Sequence, residues 1–151
     1  MQKRIMRKIL RSIATISRCI TYIRGRQFKS LGLNTGQHAF LTRIMENNGI
    51  NQEEISYMLK VDKTTSAKAL NKLQTKGFIS KQRSTTDKRV YNLFPAEKLL
   101  QVYPEMEAKI LETANIGLKG LTNREIDTLL TILEKIEHNI NIEWKRLKNN
   151  S

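Results

Sequence analysis

Between Asn51 and Phe94 the spacing of apolar residues changes once, from a helical period to an alternating one. No other feature limits the fold as strongly. "NQEEISYMLKV" turns Ile55, Met58 and Leu59 to one side. It opens at Asn51 with Glu54 three places on, the pattern of a capping box. "DKTTSAKALNKLQTKG" opens at a second capping residue, Asp62, and turns Ala67, Leu70 and Leu73 inward. It ends at Gly77, a residue suited to the left-handed backbone just past a helix. A short turn around Leu59 to Asp62 joins the two, which is helix-turn-helix spacing. "FISKQR" and "RVYNLF" then alternate β-branched and aromatic residues with polar ones, as strands do. Ser84 to Lys88 link them without an Asn-Gly pair, so a longer, protruding hairpin is expected. A helix-turn-helix followed at once by a two-stranded hairpin predicts a winged helix over residues 35–95.

The flanks read as long helices. Over 3–29, Ile9, Ile13, Ile16, Ile20 and Ile23 recur every three or four residues. A helix over 35–47 turns Phe40, Leu41, Ile44 and Met45 inward. Another over 96–119 carries Leu99, Val102, Met106, Ile110 and Leu118. A last one follows the Thr122/Glu125 cap to about Leu147, faced by Ile126, Leu129, Leu133, Ile136, Ile140 and Leu147, and the final "KNNS" is expected to fray. The predicted class is mainly α with a small β-hairpin. A winged helix-turn-helix lobe at 35–95 is joined to a long-helix dimerisation lobe from 1–34 and 96–151. A small winged helix cannot bury all these apolar stripes. They are expected to pack on one another and on a second copy, as a two-fold homodimer with Trp144 as a core anchor.

Charge narrows the function. Lys and Arg number 27 against 14 acids, a net charge of +13 with a pI near 10.1. Nine of those cations precede residue 31, and no acid appears before Glu46. Such an excess points to a polyanion, nucleic acid first and an acidic membrane surface second. A single cysteine, Cys19, excludes an internal disulfide and fits a reducing cytoplasm. Its plain reading is a small buried apolar residue in a helix. No apolar run approaches a membrane span, and Arg11, Arg18 and Arg24 break up any signal-peptide core. His38 and His138 stand far apart, and no metal-ligand spacing, phosphate loop or nucleophile elbow occurs. No enzyme, metal or cofactor is expected, and His38 reads as a packed core residue.

The candidate interface lies on the second helix of the pair and the hairpin. Lys63, Thr64, Thr65, Ser66, Lys68, Asn71, Lys72 and Thr75 read as a polar, basic face off the core. Such a face suits the major groove, where Asn can pair with adenine, Lys with guanine, and Thr methyls with thymine methyls. A solvated amphipathic face is the competing reading. At the hairpin, Arg83, Ser84, Thr85, Lys88 and Arg89 supply cations and hydroxyls, and a narrow minor groove attracts Arg. Asp87, two places before Arg89, can reach its guanidinium; an ordinary surface ion pair is the alternative.

"LKVDKTTSAKALNKLQTKGFISKQRSTTDKRVYNLF" closely resembles the MarR family of winged-helix regulators, and within it the SlyA-like branch. The resemblance rests on Leu73 to Ile79, Arg83, and Asp87-Lys88-Arg89. "LGLNTGQHAFL" and "GLTNREIDTLL" extend it over nearly the whole chain. It implies that Arg89 enters the minor groove with Asp87 orienting it. It also implies a sequence-specific, double-stranded-DNA-binding dimer, most often a repressor, on a pseudo-palindromic operator. A small aromatic or anionic effector would bind between the dimer helices and the DNA lobe, near His38. Phe94-Pro95 stands where the family often has Leu-Thr, and Cys19 lies too far along to match the family's peroxide-sensing cysteine. The alternative class is a basic amphipathic membrane-surface or partner-binding protein acting through the first helix. An architectural binder that ignores sequence is a third.

Overall fold

The computed structural model describes residues 1–149. Six α-helices and one antiparallel hairpin follow in the order α1 (Gln2–Gln27), α2 (Gln37–Glu46), α3 (Gln52–Leu59), α4 (Lys63–Thr75), β1 (Ile79–Arg83), β2 (Tyr91–Pro95), α5 (Glu97–Gly117) and α6 (Asn123–Asn149). A single 3-10 turn, Lys29–Leu31, lies between α1 and α2. This is a winged helix-turn-helix flanked by long helices, as the apolar periods predict. Of the "KNNS" end, Lys148 and Asn149 close α6, while Asn150 and Ser151 lie outside the described residues.

Local chemistry sets the boundaries. The Asn51 side chain accepts from the Glu54 backbone N–H at 3.0 Å, while the Glu54 carboxylate accepts from the Asn51 N–H at 2.9 Å. The same reciprocal pair starts α6 between Thr122 and Glu125, at 3.3 and 2.8 Å. Each such cap is worth about 1 kcal/mol. Helix α4 stops where Gly77 adopts φ 79°, which lets the Phe78 N–H reach the Leu73 carbonyl at 3.0 Å. Lys60, in the turn between α3 and α4, is left-handed without being glycine (φ 56°), and its ammonium sits 3.8 Å from the Tyr57 ring centroid.

By packing, the chain divides into residues 1–113 and a second unit beginning at Ala114. The first unit holds the core: Phe28, Leu33, Phe40, Leu41, Ile44, Ile50, Ile55, Leu70, Leu73, Phe78, Ile79, Leu93, Leu99 and Met106. The hairpin pairs Ile79 with Pro95 through Arg83 with Tyr91. It is tied to the start of α3 by the Leu93 N–H on the Ile50 carbonyl at 2.8 Å and the Gly49 N–H on the Leu93 carbonyl at 3.0 Å. This attachment orients the wing against the helix pair.

Three expectations about side-chain burial fail. Met58 does not face the core; it is 39% exposed, and Ser56 is buried in its place. Ser66 does not belong to the polar face of α4. It is fully buried, because Ser66, Leu70 and Leu73 lie at i, i+4 and i+7 on one stripe. The terminal helices differ from this core. Neither α1 nor α6 contains a buried residue, so Cys19, expected to be buried, is exposed on α1. Among the described residues, no helix is long and apolar enough to cross a membrane.

Candidate nucleic-acid interface

Helix α4 begins at Asp62, whose carboxylate accepts from the Thr65 hydroxyl and from its backbone N–H, both at 2.7 Å. Those bonds, the side-chain one foremost, hold the Asp62 carboxyl below its usual range. Thr65 is therefore engaged in the cap, although it remains exposed. The outward stripe consists of Thr64, Lys68, Asn71 and Thr75, spaced by four, three and four residues, with Lys72 beside it and Lys63 at the helix start, all exposed.

The wing tip is ordered by its own short bonds. The Ser84 hydroxyl oxygen accepts from the Thr86 and Asp87 backbone N–H groups at 3.3 Å each. The Val90 N–H reaches the Asp87 carbonyl at 2.9 Å, and the Ser84 N–H reaches the Val90 carbonyl at 2.9 Å. Asp87 then faces Arg89. Its Oδ1 accepts from the Arg89 backbone N–H at 3.0 Å and from Nε at 3.2 Å, and its Oδ2 accepts from Nη2 at 3.3 Å. The Arg89 side-chain bond, then the backbone bond, keep the Asp87 carboxyl below its usual range. The Arg89 side chain is nonetheless 90% exposed. Asp87 aims the guanidinium without withdrawing it from solvent. Thr85 and Lys88 are exposed on the same tip, and the Arg83 guanidinium lies 5.7 Å from the Tyr91 ring centroid.

The tertiary structure brings parts of this set together. A cavity of about 340 Å³ lies where the starts of α3 and α4 meet the hairpin, and Lys63, Lys81 and Arg89 share its lining with Asn51, Gln52 and Glu53. Lys81 was absent from the sequence-based set. Its ammonium donates to the Asn71 Oδ1 at 2.7 Å, joining β1 to α4, and partial burial pulls it below the usual lysine value. Strand alternation offers the signal: Lys81 lies two residues after the buried Ile79, on the same side of the hairpin. Charge has the same geography. Nineteen of the 27 Lys and Arg precede residue 96, against five of the 14 acids. Nine of those nineteen cations precede residue 31 and ten follow it with the five acids, so the excess is shared between α1 and the part that holds α4 and the wing.

His38 packs in the core. It is 7% exposed, its ring lies 4.8 Å from that of Phe28, and its Nδ1 has no hydrogen-bond partner among the described residues. Burial, and secondly the Arg24 charge, push its pKa down to about 4. It is held neutral. Among the described residues no cluster of His, Cys, Asp or Glu could hold a metal ion.

Two helices crossing a short turn, followed by a hairpin that carries an aimed arginine, define a winged helix-turn-helix protein. The model of the MarR family matches residues 33–91. YybA, an HTH-type transcriptional regulator of Bacillus subtilis (strain 168), is 39% identical over 143 residues, covering 95% of each chain. The solved transcriptional regulator SlyA superposes with a TM-score of 0.88 at 35% identity, over 92% of this chain and 98% of its own. A MarR family transcriptional regulator from Listeria monocytogenes, solved in complex with a 26mer DNA, superposes with a TM-score of 0.90 at 38% identity over 93% of each chain. The chain belongs to the MarR family and is a transcriptional regulator of the MarR/SlyA type.

Proposed function

We propose that the chain is a sequence-specific repressor that binds double-stranded DNA as a homodimer on a pseudo-palindromic operator. The observation that carries this reading is the pairing of an exposed polar stripe on α4 with a wing arginine aimed by Asp87. Thr64, Lys68, Asn71 and Lys72 would read base edges in the major groove, with Lys63 on the phosphates. Arg89 would enter the flanking minor groove, with Arg83, Ser84, Thr85 and Lys88 against the backbone. Thr65 contributes through the helix cap, and Ser66 through packing. The related regulator solved with a 26mer DNA supports DNA binding by the chain.

The apolar stripes of α1 and α6 support the dimer. Residues 1–34 and 96–151 would form the dimerisation region around the DNA-binding segment 35–95, acting in the cytoplasm. A dimer spaces its recognition helices by about 34 Å, one turn of DNA. An effector, small and aromatic or anionic, would release the operator by changing that spacing; the neutral His38, whose Nδ1 has no hydrogen-bond partner among the described residues, is a candidate contact. We assign no catalytic role.

Selection of bound fragments from random duplex DNA tests the reading. The expected result is one palindrome with half-site centres about 10 base pairs apart. Binding without an enriched sequence would leave a charge-driven architectural protein. A basic membrane-surface protein would instead co-sediment with anionic vesicles through residues 1–30 and leave DNA untouched.

A further inference from the structure

Asn71 stands on the outward stripe of α4, one turn beyond Lys68. An asparagine on such a stripe ordinarily reads adenine, because its oxygen accepts from N6 while its nitrogen donates to N7. That pairing needs an amide oxygen that a base amino group can approach. Here Lys81 Nζ lies 2.7 Å from Oδ1, which uses one of the oxygen's two lone pairs and sets an ammonium beside the other. The orientation does not depend on how the amide is drawn. A lysine ammonium carries three donors and no acceptor, so only the oxygen can face it. The amide nitrogen, with both its N–H donors, therefore points away from β1. Lys81 is also well placed to stay there. It belongs to a five-residue strand paired along its whole length, and its neighbour two places back, Ile79, is buried.

The consequence is chemical. Adenine offers the major groove one acceptor, N7, and one donor, the N6 amino group; guanine offers two acceptors, O6 and N7. An amide whose oxygen is held by a cation presents its N–H donors to the guanine acceptors, whereas the adenine amino group, itself a donor, would have to approach that oxygen against the ammonium. We infer that Lys81 is a positioning residue for base recognition: by holding the Asn71 oxygen, it makes Asn71 select guanine where a free asparagine would select adenine. This rests on the DNA-binding reading above and replaces the Asn–adenine pairing expected from the sequence. Lys81 itself touches no base in this scheme; it acts through Asn71.

The test uses the full chain and random duplex DNA as probe, with the parent, Asn71→Ala, Lys81→Met and Lys81→Arg compared side by side. Thermal melts show which variants are folded. The parent is expected to enrich guanine at one symmetry-related position in each half-site, and Asn71→Ala to lose preference there alone. Lys81→Met keeps the stem but removes the donor, and should move that position to adenine. The guanine-to-adenine affinity ratio should change by about tenfold or more. Lys81→Arg retains a cationic donor and should keep guanine. An A·T pair at the Asn71-dependent position of the parent overturns the inference, as does Lys81→Met with unchanged preference. So does Asn71→Ala with an unaltered site; in all three cases the palindrome, and with it the DNA reading, survives. A parent that enriches no sequence removes that reading and the inference together.

Discussion

The winged segment and the terminal helices use apolar residues in opposite ways. In the winged segment they close on themselves: Leu41, Ile44, Ile55, Leu70, Leu73 and Phe78 are fully buried within one chain. In α6, Leu129, Leu130, Ile132, Leu133, Ile140, Ile142 and Leu147 are between 37% and 58% exposed. In α1, Ile5, Met6, Ile9, Leu10 and Ile16 are between 45% and 59% exposed. Soluble proteins rarely leave contiguous apolar stripes open to water. The contrast teaches that a finished core and an unfinished surface coexist in this chain. The first carries the α4 stripe and the wing, and the second is the surface on which the proposed dimer would close.

The widest test of that contrast is to charge the unfinished surface. Leu129→Lys, Leu133→Lys and Ile140→Lys together should turn a dimer into monomers by sedimentation and abolish operator binding. Covering each apolar side chain is worth roughly 2 kcal/mol, so three substitutions remove most of an ordinary dimer affinity. Dimers that persist would break the comparison. The finished core should respond through stability instead. Leu70→Ala is expected to cost about 2–5 kcal/mol in urea unfolding. A loss below about 1 kcal/mol would mean that the winged segment is less closed than its burial implies.

His38 sharpens the comparison through pH. Its folded pKa, about 4, lies below the ordinary 6.5. Between those values the unfolded chain binds a proton that the folded chain refuses. The stability His38 contributes is therefore present above pH 6.5 and lost as pH falls toward 4. The loss should be on the order of 2–3 kcal/mol, and His38→Phe should flatten it, measured as the difference between parent and variant unfolding curves. Parallel curves would count against the burial.

The smaller effects belong to the wing. Arg89→Ala should weaken operator binding about tenfold or more, while Lys148→Ala near the end of α6 leaves it unchanged within twofold. Asp87→Ala should cost less than the loss of Arg89, because the guanidinium remains and only its aim is freed. Equal effects of Arg89→Ala and Lys148→Ala in titrations of labelled operator would remove the wing from recognition.

Much of this was readable from the chain alone. The capping boxes at Asn51 and Thr122, the left-handed stop at Gly77, the period change near Phe78 and the Asp87–Arg89 spacing are interactions across a few residues, and local chemistry decides them. The apolar stripes of α1 and α6 were equally visible, because helical periodicity is a local property. Tertiary contact decided the rest. Ser66 looks polar in sequence, yet its stripe belongs to the core. Met58 looks apolar, yet its side of α3 meets no neighbour that buries it. His38 became a neutral buried base only through Phe28 and Arg24. Lys81 meets Asn71 because β1 folds back along α4, ten residues later in the chain. Sequence determines which segments become helix, turn and wing, since those energies are short-ranged. Which groups end up buried, paired or aimed depends on how the finished elements approach, and that choice is made only when the core closes.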